Sequence, residues 1–251
     1  MRNLLVEICY NGAAYHGYQV QANGITVAQT MQDAVERVLH VREAITGCSR
    51  TDAGVHANSF YFHMKTQKRI PCENLIKALN CALPGDIAVL SCKEVPLDFH
   101  ARYSCKGKEY VYKLWNAPVK NPFLEHLAVF YPYPIDAEML DQAAKAFVGT
   151  HDFKAFCAAG SKKGLDTTRT VYDFSVRREG NLVLFTVRGD GFLYNMVRIM
   201  VGTLLKIQEG KIPADGIPLI LTKKDRSLAG NTAKPEGLYL NRVFYDESIF
   251  R

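Results

Sequence analysis

The order in which two hydrophobic periods alternate along this chain constrains its fold more tightly than any other feature. Leu4, Val6, Ile8 and Tyr10 recur at every second residue, the period of a strand with one buried face. That run ends at Asn11-Gly12, a turn signal. Thr26 followed by Gln29 has the form of a capping box, after which Met31, Ala34, Val35, Val38 and Leu39 recur at helical spacing. A short strand, a loop and a second alternating strand with Phe60, Phe62 and Met64 come next. Pro71 suits the first turn of a second helix, with Leu75, Ile76 and Leu79 facing inward. The turn Leu83-Pro84-Gly85-Asp86 leads into a strand from Ile87 to Val95. The result is β-α-β-β-α-β, the order of the ferredoxin-like split unit.

The second half repeats this order. Tyr110, Tyr112 and Leu114 alternate in a strand, and Asp136 caps a helix lined by Leu140, Ala143, Ala144 and Phe147. Strands at about Arg169–Arg177 and Leu182–Arg188 flank a Glu179-Gly180 turn. Leu193, Met196, Val197, Met200 and Leu204 form the strongest helical stripe, and Gly237 to Tyr245 supplies a closing strand. The expectation is an α+β fold of two tandem ferredoxin-like halves, 1–104 and 105–251. Pseudo-two-fold symmetry would relate them, their antiparallel sheets flanking a central cleft.

A chain of 251 residues with 48% apolar and 22% charged content can bury one large core or two small ones. Its formal charge of +6 is compatible with a nucleic-acid partner and does not establish one. Seven scattered cysteines without a Cys-x-x-Cys favour reduced thiols in the cytoplasm over a disulfide framework. The seven histidines show no ligand-like pairing, which argues against zinc. No apolar run has membrane-spanning length, and MRNLLVEICY, interrupted by Glu7, does not read as a signal peptide.

One loop stands out, Gly47-Cys48-Ser49-Arg50-Thr51-Asp52-Ala53-Gly54-Val55-His56-Ala57. A loop that only reverses the chain needs little beyond Gly, Asn or Pro at its bend. This one adds an arginine, an aspartate and a histidine, groups suited to catalysis on a rigid support. Local pattern alone leaves two readings, a catalytic carboxylate or a solvated Arg50–Asp52 turn pair. Arg198 is similarly open. It follows Met196 and Val197 in an apolar helix, where it is either paired or points to solvent beside the stripe.

The loop resembles the signature of the TruA-type tRNA pseudouridine synthases. Leu83–Val89, Phe99-His100-Ala101-Arg102, Lys108–Tyr112, Asn195–Gly202 and Thr232–Leu240 are similar to that family's other blocks, in the same order. The resemblance implies two ferredoxin-like halves forming a cleft in a homodimer, acting on tRNA with uridines of the anticodon stem-loop as the usual target. It implies Asp52 as the catalytic aspartate and Arg50 as its motif arginine. Tyr110 would contact the uracil, Arg198 would pair with the aspartate, and Leu238 would pack near the base. The stretch Tyr10-Asn11-Gly12 to Gly17-Tyr18-Gln19 departs from the family pattern, with Asn11 and Tyr18 in place of Asp and Trp. That departure bears on the choice of target uridine.

The chemistry fits these residue types. Isomerising uridine exchanges the bond from ribose C1′ to uracil N1 for one to C5, with no redox step, so no cofactor or metal is required. An ionised Asp52 acts on ribose or uracil. Arg198 or Arg50 beside it would favour its charged form. Tyr110 offers a stacking face and a hydroxyl for the C5 proton, or else is a cross-strand packing residue. His56 and His100 read as polar supports of their loops, with RNA contact as the alternative. Candidate phosphate contacts are Arg102, Lys106, Lys108, Lys162, Lys163 and Arg169, each equally readable as a solvated surface charge. A binding-only RNA module would not need a carboxylate beside a polyanion. A hydrolase built on Asp52 and His56 lacks any phosphate-cradling glycine loop or metal cluster.

Overall fold

The structure, a computed structural model, describes residues 1–158, 164 and 166–250. In chain order its elements begin with β1 (Arg2–Tyr10), α1 (Val27–Leu39), β2 (Ile45–Gly47), β3 (His56–Thr66), α2 (Cys72–Ala82) and β4 (Ile87–Val95). They continue with β5 (Gly107–Trp115), β6 (Val129–Phe130), α3 (Ala137–Ala144), β7 (Gly149–Asp152), β8 (Thr168–Glu179) and β9 (Leu182–Gly189). The chain closes with α4 (Met196–Gln208), α5 (Ile217–Lys223) and β10 (Leu238–Phe244). It divides into two compact units, Met1–Lys106 with Tyr239–Arg251, and Gly107–Leu238.

In the first unit β1 lies between β3 and β4, antiparallel to both, and β2 pairs antiparallel with β3. Tyr239 and Leu240 of β10 add to β3 in parallel, opposite His56 and Ala57. The alternation read from sequence is realised. Leu4, Val6 and Ile8 of β1 and Phe60, Phe62 and Met64 of β3 are fully buried. Truncating such a phenylalanine to alanine costs about 3–5 kcal/mol. Helix α1 buries Met31, Ala34, Val35 and Leu39, while Val38 is only half-buried. Its start follows the expected chemistry, because Thr26 Oγ1 accepts from the Gln29 N–H at 3.3 Å. Helix α2 buries Leu75 and Leu79. Pro71 is the residue before its first turn rather than within it.

In the second unit β9 lies between β5 and β8, antiparallel to both, with β7 beyond β8. Tyr112 and Leu114 of β5, Val183, Phe185 and Val187 of β9, and Phe174 and Val176 of β8 are buried. Leu140, Ala143 and Ala144 of α3 are buried as well, and so is nearly the whole circumference of α4. Asp136 caps α3 by accepting from the Met139 N–H at 2.9 Å. Phe147 lies in a tight turn after α3, and Leu193 lies just before α4. Gly202 of α4 has a steric reason to be glycine: an added Cβ would sit 1.8 Å from the Asn231 carbonyl oxygen. The segment 230–233 thus crosses the helix in contact with its backbone. Gly230 N–H donates to Thr203 Oγ1 at 2.8 Å and Ala233 N–H to the Arg198 carbonyl at 3.1 Å.

Candidate active site

The loop between β2 and β3 is shaped by one tight turn. The Val55 N–H donates to the Asp52 carbonyl at 3.1 Å, and Gly54 adopts φ +76° at the third position of that turn. A type II turn requires a positive φ there, which glycine provides without a Cβ clash. Asp52 is therefore the first residue of a stiff reversal, and it is half-buried while Arg50 is exposed.

The segment between β1 and α1 clasps this turn. Tyr18 N–H donates to the Thr51 carbonyl at 3.1 Å, and Gly54 N–H donates to the Tyr15 carbonyl at 3.2 Å. The Tyr10 hydroxyl and Thr51 Oγ1 share a buried hydrogen bond of 2.8 Å. Gly12 and Gly17 make the approach possible. A Cβ on Gly12 would lie 1.9 Å from the Val55 oxygen, and one on Gly17 would lie 2.5 Å from the Thr51 oxygen. His56 is 1% exposed, its Nδ1 accepting from the Gly12 N–H at 3.0 Å and its ring stacked 4.5 Å from Tyr239. It supports the loop as expected. His100 does the same for its own, Nδ1 accepting from the Arg102 and Tyr103 N–H groups at 3.2 and 3.3 Å.

Of the two departures, Tyr18 does not present itself to RNA, whereas Asn11 is exposed. Tyr18 is buried and stacked on Phe60 with ring centroids 4.2 Å apart. Among the described residues its hydroxyl has no hydrogen-bond partner, and burial pushes that phenol well above its ordinary range. Asn11 Oδ1 accepts from the Ala13 N–H at 3.0 Å, capping the turn Gly12–Ala14, a task an aspartate performs equally well. The Trp-to-Tyr departure is a change of core packing.

The second unit holds Tyr110, Arg198 and Leu238. Tyr110 lies on β5, 7% exposed and edge-on to Phe192 at 5.2 Å. Arg198 is half-buried; Nε donates to the Ala233 carbonyl and Nη1 to Asn195 Oδ1, each at 2.7 Å. It is a held guanidinium, which removes the solvent-pointing alternative. Leu238 is buried at the start of β10. It follows Gly237, where an added Cβ would meet the Tyr112 ring at 2.8 Å. The Tyr112 hydroxyl donates to the Lys234 carbonyl at 2.8 Å, so the segment carrying Leu238 is tied to β5.

Of the candidate phosphate contacts, Arg102 and Lys106 are exposed and Lys108 is half-buried. Arg169 Nη1 donates to the carbonyls of Asp166 and Thr168, committing it partly to its own loop. Lys162 and Lys163 lie outside the described residues. Among the described residues no group of three or more His, Cys, Asp or Glu could hold a metal ion, and no helix is long and apolar enough to cross a membrane. Sequence reasoning missed Asn195 as a partner of Arg198. The three-residue spacing across a helix start was the available signal.

A sequence profile described as tRNA pseudouridine synthase matches residues 8–104 and 143–246, and the chain belongs to that family. It is a pseudouridine synthase, an enzyme of the isomerase class. Relatives named tRNA pseudouridine synthase A are similar over nearly all of it. The protein from a Thermoanaerobacter species is 44% identical over 98% of this chain and the whole of its own. The protein from Exiguobacterium sibiricum is 42% identical over 99% of this chain and 98% of its own. A solved Cbf5-Nop10-Gar1 complex is similar with a TM-score of 0.40 and 13% identity, over 99% of this chain and 60% of that one.

Proposed function

We propose that this chain converts uridine to pseudouridine in the anticodon stem-loop of tRNA, working in the cytoplasm as a homodimer, with Asp52 as the catalytic group. We read the two units as two copies of one ferredoxin-like design. The observation that carries the reading is the clasped turn that begins at Asp52. Backbone hydrogen bonds on both sides of the residue, with Gly17 packed on the Thr51–Asp52 backbone and Gly12 on Val55, hold a carboxylate on a loop that would need none merely to reverse the chain.

The reaction breaks C1′–N1 and forms C1′–C5. The uracil C5 gives up its proton, and N1 gains one. Asp52 carries the transfer of the ribosyl group. Tyr110, whose ring is fixed against Phe192, confines the detached uracil while its hydroxyl takes the C5 proton. Arg198 supplies a fixed cation for the charge that develops, and Leu238 packs against the base. Arg50 steadies the strand of RNA that enters. A stacked uridine must leave its helix to be reached, so the substrate binds with its base flipped. Arg102, Lys106 and Lys108, with Lys162, Lys163 and Arg169, contact phosphates.

Release of tritium from tRNA labelled at uracil C5 tests the assignment. Asp52→Asn preserves size and leaves the turn intact, and it removes a negative charge from a surface that holds phosphates. Binding is retained, and turnover falls by about a hundredfold or more, as expected for loss of a required nucleophile or acid–base group. A variant keeping a tenth of normal turnover would remove Asp52 from the mechanism.

A further inference from the structure

Asn195 immediately precedes α4 with φ 59° and ψ 9°, in the left-handed region. Residues other than glycine seldom enter that region, asparagine being one of the few that do. An asparagine at this place ordinarily accepts a hydrogen bond from N–H groups in the first turn of its helix. Asn195 makes no such capping bond. Its Oδ1 instead accepts from Nη1 of Arg198 at 2.7 Å. The side chain that would cap the helix is spent on a guanidinium three residues further on.

Another acceptor for Arg198 is a backbone atom. The Ala233 carbonyl accepts from Nε at 2.7 Å, on a segment pinned by the Ala233 N–H bond to the Arg198 carbonyl and by its close passage over Gly202. Two acceptors on different nitrogens of a planar, rigid fork fix both its position and the tilt of its plane. A substitution at 233 leaves its carbonyl in place. The Asn195 amide is an acceptor that a side chain provides, and so one that a substitution can remove.

We propose that Asn195 is a positioning residue for the isomerisation: it sets the orientation of the Arg198 guanidinium and sacrifices a helix cap to do so. The inference rests on the reading above in which Arg198 serves the reacting uridine. The left-handed backbone is part of the device, because it turns the Asn195 side chain away from the first-turn N–H groups and onto the arginine.

The test compares Asn195→Gly, Asn195→Asp and Arg198→Ala by tritium release, with kcat, KM and Tm measured for each. Glycine accepts φ 59° without strain and deletes only the amide. Asn195→Gly therefore keeps or raises Tm, while kcat falls about tenfold or more, the scale of losing a hydrogen bond to a charged group. KM changes by less than kcat does. Asn195→Asp keeps an acceptor oxygen and restores most of the lost turnover. A kcat within twofold of the original in Asn195→Gly overturns the proposal, as does a fall in kcat that merely tracks a fall in Tm. An inactive Arg198→Ala beside a fully active Asn195→Gly overturns this inference alone. A fully active Arg198→Ala withdraws the role of Arg198 and the inference with it.

Discussion

Gly17 is where a single methyl group should separate folding from catalysis. Its φ of +83° already excludes side chains at low cost, since an L-residue in the left-handed region loses about 1–2 kcal/mol. Position adds a second effect. A Cβ there would lie 2.5 Å from the Thr51 carbonyl oxygen and 3.2 Å from the Asp52 carbonyl carbon, whereas ordinary contact begins at 3.4 Å. The Thr51–Asp52 peptide must therefore retreat by the difference between 3.4 and 2.5 Å, about 0.9 Å. Misplacing a catalytic group by ~1 Å costs on the order of a hundredfold in rate. Gly210 provides the control. It has φ +68° and nothing within 4 Å of an added Cβ, so Gly210→Ala meets the backbone penalty without any displacement. Both variants should melt lower by about 2–8 °C, given roughly 2–4 °C per kcal/mol for a chain of this size. Only Gly17→Ala should lose turnover in the tritium-release assay at saturating tRNA, by ten- to a hundredfold. Turnover within twofold of normal in Gly17→Ala would refute the claim that this glycine holds Asp52 in place.

Other consequences can be measured by melting. His63 is held below the ordinary histidine range, chiefly by burial and then by His100 and Lys65, and its Nδ1 accepts from the Ala101 N–H at 3.1 Å. The unfolded chain binds the extra proton first as pH falls, so this contribution to stability is complete above about pH 6.5 and is lost below it. Tm should decline from pH 7.5 to 5, and His63→Gln should flatten that decline; equal slopes would exclude His63 as a source. Tyr18→Phe removes a buried hydroxyl that has no partner among the described residues, so it should raise Tm by a few degrees and leave the set of modified uridines unchanged. A lower Tm would mean that the hydroxyl is bonded in solution.

The elements were legible wherever a period ran long enough. Leu4 to Tyr10, Met31 to Leu39 and Met196 to Leu204 each carry a full strand or helix repeat, and each is found where its pattern lies. Short elements escaped. β6 has two residues and β7 four, too few for alternation to register. α5 was within reach, because Ile217, Ile220 and Leu221 have helical spacing and all are buried. The one-residue displacement of Pro71 has a physical cause: a residue fixed near φ −65° serves at the helix boundary as well as inside it, and sequence does not distinguish the two.

The candidate site was legible as chemistry but not as support. Arg50, Asp52, Tyr110 and Arg198 carry functional groups, and their type betrays them. Part of what fixes Asp52 and Arg198 is backbone, which has the same chemistry at every residue. The Thr51 and Tyr15 carbonyls hold one loop, the Ala233 carbonyl holds the other, and the glycines at 12, 17 and 202 serve by lacking atoms. Gly12 and Gly17 read in sequence as turn formers, although their contribution is the space they leave for a second piece of backbone. Tyr18 shows where local reading stops. Its place in a stretch that departs from the family pattern suggested a link to substrate choice, and its burial on Phe60 of β3, far along the chain, is something no local pattern reveals. Of the two departures from the family pattern, Asn11 is exposed and remains a candidate for substrate choice, whereas Tyr18 is buried. The search for what sets the target uridine therefore starts from the exposed Asn11 and the exposed cations Arg102 and Lys106.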